Sequence, residues 1–429
     1  MHTETISLSQ ITKVEGSAGL DVRIEDGKAV EARFKITEFK RFYTRAMKGK
    51  PVMAVPQLLS RICGTCSNAH LLCAIECAEN ALGIKSSEQT DILRDLLMYG
   101  LMIRDHALHL YLFSMPDMYG KDAFLEFDEN NPEEHQILHD AFELKAAGNF
   151  LSIIVGGRSV HAPFPTIGGF IHFPNEAEIS EAIDKLEKAR AAALHCIDIY
   201  QKDLRILDRQ ASYLGLKSDK FNFLRGQICS SDGECILERN FRKHLDRIVK
   251  SYTHATCYLY NGKPFMVGSL ARLNIAKETL NKETQKGAAQ ALALFPSTNI
   301  YRNNLAQAIE ILHSIDESIK ILKEVKIKPE PLIKKSPKKG EGIGVIEAPR
   351  GTLYHKMSID DKGIVTGGDI VVPTGQNQCN IEADVVRLVS DLLPNTPKEK
   401  IEPEIEKLIR AYDPCMSCAS HFLKVKWIE

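Results

Sequence analysis

Two pairs of cysteines stand out for their chemistry. Cys63 and Cys66 lie in Arg61-Ile62-Cys63-Gly64-Thr65-Cys66-Ser67-Asn68-Ala69-His70, and Cys415 and Cys418 lie in Asp413-Pro414-Cys415-Met416-Ser417-Cys418-Ala419-Ser420-His421. Each Cys-x-x-Cys spacing lets both sulfurs face one way around a tight turn or a first helical turn. Together the pairs can offer four thiolates to one metal centre, and soft thiolates suit zinc, nickel and iron alike. A structural zinc site is the plain alternative, although such sites usually close a small module. A redox dithiol is another, but it needs only one pair. From the pairs alone, structural and catalytic metal are evenly balanced.

The flanking residues add detail. His70 follows Cys66 by one helical turn, so on a helix it returns to the same face, where it can hydrogen-bond a thiolate. A lone histidine is more often a satisfied core residue. Asp413-Pro414 reads as a helix start with Asp413 as its cap, and equally as a charge partner for a buried cation. The other seven cysteines (Cys73, Cys77, Cys196, Cys229, Cys235, Cys257 and Cys379) show no four-ligand spacing, and no iron–sulfur cluster is placed in the chain. An odd total of 11 in a chain this long reads as reduced thiols and ligands, not a disulfide scaffold. Cys73 and Cys77, one helical turn apart, read as packing residues.

If the pairs work together, the intervening chain must bring its two ends to one place. Its 429 residues are ample for a large core with two or three lobes. Residues 1–40 read as strands at Ile11–Glu15, Leu20–Ile24 and Val30–Ile36, with Glu15-Gly16 as an interruption that lets the backbone approach something closely. Residues 52–115 read as long buried helices, the second running from Thr90 to Phe113, and 133–154 as another. The loop from Gly156 to Gly169 lacks the setting of a phosphate-binding loop. Residues 176–210 and 302–325 read as amphipathic helices around a mixed stretch, 211–300. Lys326–Gly340 reads as a solvated surface linker.

Strands are expected at Gly344–Ala348, Gly351–Met357 and Ile364–Val372. Helices follow at Ile381–Leu393 and Ile401–Tyr412, the last delivering the second cysteine pair. The expected fold is α+β and mainly helical: a central bundle of long helices, an N-terminal β-sheet, and a β-rich segment near the C-terminal end that carries the active site. It is read as one domain over 1–429, with a β lobe (1–50), a helical core (51–325) and a metal-binding lobe (326–429).

A net charge of −1 gives no bulk pull toward nucleic acid or a membrane surface. There is no secretory signal pattern and no run of 18 apolar residues. The expected location is the cytoplasm, with any membrane association through partners.

With these residues in view, the chain resembles the large subunit of nickel–iron hydrogenases, most like the soluble multi-subunit type. The two cysteine motifs are similar to the family's signatures. Lys13-Val14-Glu15-Gly16, Arg104-Asp105-His106, Gly156-Gly157-Arg158 through His161 to Gly168-Gly169, Glu347-Ala348-Pro349-Arg350-Gly351 and Val372-Pro373-Thr374 match family segments in order. The resemblance implies nickel held terminally by Cys63 and Cys415. Cys66 and Cys418 would bridge it to an iron carrying one carbonyl and two cyanides. It implies Arg350 and Thr374 as donors to the cyanides, Pro349 and Pro373 as pocket wall, and Asp105 and Asp413 as counter-charges for Arg350.

Splitting dihydrogen needs an electron acceptor and a base in one small space. The resemblance gives the base as Cys415, passing its proton to Glu15, with Arg350 as the other candidate. A buried carboxyl beside anionic sulfur has its proton affinity raised, as a relay near neutral pH requires. Without the resemblance, Glu15 reads as a surface turn carboxylate and Asp105 as an exposed helix residue.

The chain also departs from the family pattern. Thr44 stands where the family usually has a glutamate that helps bind magnesium or a similar ion with the residue matching His421, which puts that second metal site in doubt. Ser17 and Lys13 replace the more usual histidine and arginine. Residues 422–429 alternate apolar and basic side chains and read as a retained strand, with a cleavable precursor tail as the alternative.

The lack of a cluster motif implies an iron–sulfur small subunit as partner, with further electron-transfer subunits. The competing functions are a low-turnover hydrogen sensor, a zinc-binding protein, or a structural relative of the complex I quinone-site subunit.

Overall fold

The computed structural model describes residues 3–39 and 42–420. His421 and the 422–429 tail lie outside the described residues. The N-terminal sheet is a three-stranded antiparallel meander, Thr3–Leu8, Ala18–Glu25 and Lys28–Ile36. Alternate residues of the second strand are buried, Leu20, Val22 and Ile24 among them, as expected for a sheet with one covered face. The segment Ile11–Glu15, expected as a strand, is irregular, and the first strand lies before it. Its backbone is instead used to approach Cys415, as described below.

Long helices form the body: Ser67–Leu82, Glu88–Ala107, Pro132–Gly156, Glu176–Gln201 and Arg302–Glu324. Their starts are encoded locally. Ser87 accepts a hydrogen bond from the Thr90 backbone N–H, Asn131 accepts from Glu133 and Glu134, and Asn175 forms a capping box with Glu178. The Glu88 helix passes at Leu108–Ser114 into a wider π-type turn, a feature often found beside functional sites. The helix expected over 176–210 ends at Gln201.

The stretch 211–300 is mixed as expected. Strands Ser212–Lys217, Gln227–Ser230, Cys235–Ile236 and Phe265–Met266 form one sheet, and Leu245–Val249 pairs with Thr256–Tyr260. Here one expectation is corrected: Cys229 and Cys235 form a disulfide. They are directly opposed in the hairpin formed by Gln227–Ser230 and Cys235–Ile236, with Cα atoms 4.1 Å apart. Strand register decides that pairing, and cysteine spacing alone does not carry it.

The C-terminal part contains the sheet Gly340–Ala348, Gly351–Ile359 and Val365–Val371, then helices Pro373–Leu392, Lys398–Ala411 and Met416–Ala419. The Ser67–Leu82 helix lies against this sheet at close range. A Cβ on Gly342 would sit 1.9 Å from the Cys77 carbonyl oxygen, so only glycine permits the contact. Cys77 and Cys73 point their thiols at the carbonyls of Gly342 and Gly344, at 3.2 and 3.4 Å. Burial pushes both thiols up, in keeping with packing residues.

The Lys326–Gly340 stretch is irregular but docked. Lys328 N donates to Gln89, Ile333 N to Gly168 O, and Lys335 Nζ to Gly83 O. One large apolar core runs from Ile6 to Ala419, with a smaller cluster under the mixed stretch. Among the described residues, no helix is long and apolar enough to cross a membrane.

Candidate metal centre

The two cysteine pairs have similar local architecture. Cys63 is extended after a turn at Ser60–Ile62, and Cys66 immediately precedes the Ser67–Leu82 helix. Cys415 is extended, and Cys418 lies in the short helix that starts after it. All four are buried, and their sulfurs lie within 4.8 Å of one another. Cys63 faces Cys415 at 3.4 Å, Cys66 faces Cys418 at 3.2 Å, and Cys415 lies 3.0 Å from Cys418.

The charge balance of this cluster points to a cation. Hydrogen bonds from Cys415, Cys418 and Cys66 hold the Cys63 thiol well below its ordinary range. Burial pushes Cys415 and Cys418 up. Ionising four buried, neighbouring sulfurs together is costly, so a site that uses all four thiolates requires positive metal charge among them.

Glu15 reaches the cluster through its backbone. It forms a parallel bridge to Cys415, and its carbonyl accepts the Met416 N–H at 2.9 Å. The approach depends on Gly16, whose φ is +84° and whose Cβ would sit 2.8 Å from that of Met416. The Glu15 carboxylate accepts from the Cys415 thiol at 3.0 Å, from Ser417 N at 3.1 Å and from Ser417 Oγ at 2.6 Å. Burial and then the charge of Cys63 raise its pKa, against the lowering effect of those hydrogen bonds. The surface-turn alternative for Glu15 does not describe this position.

Arg350 is buried and held from two sides. Its Nη1 donates to Asp105 at 2.7 Å, and its Nε donates to Asp413 at 3.1 Å. Asp105 is thus a fully buried counter-charge and not an exposed helix residue. Asp413 is not a helix cap. It has a φ of +48°, the following short helix starts without a side-chain cap, and its carboxylate is committed to Arg350 and Gln307. Burial opposes the Arg350 charge, but Asp105 and Asp413 hold its pKa well above the ordinary arginine range.

The Arg350 Nη2 lies 3.0 Å from Asp413 in ion-pair contact but donates no aligned hydrogen bond among the described residues. A buried donor of that kind fits an acceptor supplied from outside the chain. Thr374 lies in the first turn of the helix that starts at Pro373, and its hydroxyl oxygen accepts the Cys415 N–H at 2.9 Å. Among the described residues its own proton has no acceptor. Pro349 and Arg350 form the tip of the hairpin joining Gly340–Ala348 to Gly351–Ile359.

His70 does reach a cysteine sulfur, but one of the opposite pair: its Nε2 lies 3.4 Å from Cys418 Sγ. Its other nitrogen lies 3.2 Å from His355. Thr44 is half-buried in the short helix Tyr43–Ala46, and its expected companion His421 is outside the described residues.

Sequence reasoning gave no role to Ser417, His355 or Gln307, nor to Arg104, whose Nη2 donates to the Thr65 carbonyl at 2.8 Å. Ser417 and Arg104 stood inside the quoted motifs. His355 and Gln307 have no local signal, because each reaches the site only through the tertiary fold.

Comparisons with known proteins agree with this geometry. The sequence profile of the family described as nickel-dependent hydrogenase matches residues 43–154 and 217–421. The chain is 31% identical to sulfhydrogenase 1 subunit alpha of Pyrococcus furiosus, over 98% of this chain and 98% of that protein. It is 27% identical to the NAD-reducing hydrogenase HoxS subunit beta of Cupriavidus necator, over 97% and 94%. Its fold matches a crystal structure of an NAD+-reducing [NiFe]-hydrogenase in the H2-reduced state with a TM-score of 0.87 at 21% identity, covering 97% of this chain and 99% of that one. With its profile matched across most of its length and its four cysteines gathered at one point, the chain belongs to the nickel-dependent hydrogenase family.

Proposed function

We propose that this chain is the catalytic subunit of a nickel–iron hydrogenase, reversibly cleaving H2 into protons and electrons. The observation that carries the reading is the cluster of four buried sulfurs with a protonatable carboxylate hydrogen-bonded to one of them. Cys63, Cys66, Cys415 and Cys418 would hold the nickel–iron centre. When bound, the metals supply the Lewis-acidic, redox-active centre that accepts the electrons of H2.

The protein's own part is to receive the proton and shape the pocket. Cys415 Sγ takes the proton, and Glu15 Oε2 at 3.0 Å takes it onward. Ser417 fixes the carboxylate with two hydrogen bonds. Arg350 is assigned as a donor to the iron's diatomic ligands and not as the base, because Asp105 and Asp413 hold it protonated. Thr374 is a second donor, and Pro349 and Pro373 wall the pocket. His70 restrains the Cys418 sulfur.

Electrons leave to an iron–sulfur partner subunit. The relatives' names, which designate one subunit of a larger enzyme, support such an assembly. We place the assembly in the cytoplasm.

Elemental analysis with infrared spectroscopy tests the reading. Nickel, iron and bands in the cyanide and carbonyl region are expected. Zinc alone would overturn it.

A further inference from the structure

The hairpin tip that presents Arg350 departs from the commonest two-residue turn. Ala348 pairs directly with Gly351, so Pro349 and Arg350 form a two-residue loop. Such loops normally use turns with positive φ at the first loop residue, because those match the strand twist. The proline ring fixes φ near about −65°, Arg350 does not have positive φ either, and the positive φ falls on Gly351, at +129°, where the chain re-enters the strand. Contacts from outside the hairpin can then decide where this tip stands.

Arg272 supplies such contacts. It lies in the helix Ser269–Ala276 and is fully buried. Its Nη1 donates to the carbonyl of Ala348 at 3.1 Å and its Nη2 to the carbonyl of Pro349 at 3.0 Å. These are the two peptide carbonyls immediately before Arg350. Arg272 is itself fixed by Glu310, at 2.6 Å from Nε and 2.7 Å from Nη2, by Glu347 at 2.8 Å and by Ser269 at 3.0 Å. His106, the neighbour of Asp105, lies 2.9 Å from Glu310. The Arg350 backbone and its side-chain counter-charge are therefore referenced to one buried network. A planar fork is needed for this: one guanidinium spans two carboxylates and two carbonyls, which an ammonium group does not reproduce.

We propose that Arg272 is a positioning residue for the metal centre, setting where the Arg350 guanidinium stands against the iron's ligands. The inference rests on the nickel–iron reading. It concerns placement: Arg272 touches neither metal ligand nor substrate.

The test is Arg272→Lys in the purified, metal-loaded protein, read by nickel and iron content, by thermal unfolding and by the cyanide infrared bands. The expected result is wild-type metal content, shifted cyanide bands and turnover reduced by about tenfold or more. Combining it with Arg350→Lys should add little to the band shift of Arg350→Lys alone, since both act through one group. A folded, loaded Arg272→Lys protein with wild-type bands would overturn the proposal.

If that variant does not fold, Ser269→Ala removes one acceptor from Nη2 and one donor to Glu310, and leaves both carboxylates in place. A smaller shift of the same bands is then expected, and unchanged bands overturn the proposal. Failure of the nickel–iron reading is distinguishable, because the wild-type protein would then lack nickel and the cyanide bands.

Discussion

The Cys415 sulfur stands 3.0 Å from the Glu15 carboxylate, although the two residues are 400 positions apart in the chain. The Glu15↔Cys415 backbone bridge brings the two residues together, and the Ser417 N–H and hydroxyl hold the carboxylate in place.

Replacing Glu15 with Gln keeps the shape and removes the exchangeable acid. Nickel and iron content should stay at wild-type level, while H2/D2 exchange with solvent falls by about 100-fold or more. Exchange at the wild-type rate in the loaded variant would sink the relay role.

Gly16→Ala tests the close approach itself. Both Gly16 and Gly27 have left-handed backbones, with φ of +84° and +78°, but a Cβ at Gly27 meets nothing within 4 Å. Each substitution should cost about 1 kcal/mol from strain. Only Gly16→Ala should also lose nickel and activity, because it pushes Glu15 away from Met416 and Cys415. Equal nickel retention in the two variants would count against the bridge.

Asp105→Asn and Asp413→Asn each leave Arg350 with one counter-charge in a buried site. Each should destabilise the protein by about 3–5 kcal/mol in chemical unfolding. A loss below about 1 kcal/mol, the level of a surface pair, would contradict the buried charge balance.

Asp95 supplies a pH dependence. Burial raises its pKa to about 6, against the opposing charge of Arg225. The folded chain binds this proton more tightly than the unfolded chain, whose aspartate titrates near about 3.9. Its stabilising contribution is therefore full below that value and is lost as pH rises through about 6. Urea unfolding of wild type and Asp95→Asn at pH 4 and pH 7 should show a difference between them that moves by roughly 2 kcal/mol, with wild type losing more at pH 7. A constant difference would refute the shift.

The Cys229–Cys235 disulfide leaves nine free cysteines. Thiol titration of the metal-free, unreduced, unfolded protein should therefore count nine. A count of 11 would remove the disulfide, and would suit a reducing cytoplasm, where such bonds are uncommon outside hyperthermophiles.

Much of the site is legible in the sequence because its parts sit in short local motifs. The cysteine pairs and Arg350 each lie in a stretch whose turn chemistry is local. The long helices announce themselves through caps such as Ser87 and Asn175. Pairings made by tertiary register are not legible in this way. Asp413 reads equally as a cap and as a charge partner until Arg350 is seen beside it. Arg272 carries no local signal, because its partners come from residues 310 and 347–349. Cys229 and Cys235 look like ordinary thiols until the hairpin register opposes them.

The two halves of the metal site are 352 positions apart, which has a consequence for how the protein is made. At about 5–20 residues per second, Cys66 leaves the ribosome roughly 20–70 s before Cys418, so for that time the nascent chain carries only two of the four sulfurs. The Ser67–Leu82 helix also waits for the sheet over 340–359 against which it packs. Metal loading is thereby confined to chains translated through Cys418. A product that stops before Cys415 carries only half of the site, so the order of synthesis acts as a quality check on which polypeptides become enzyme.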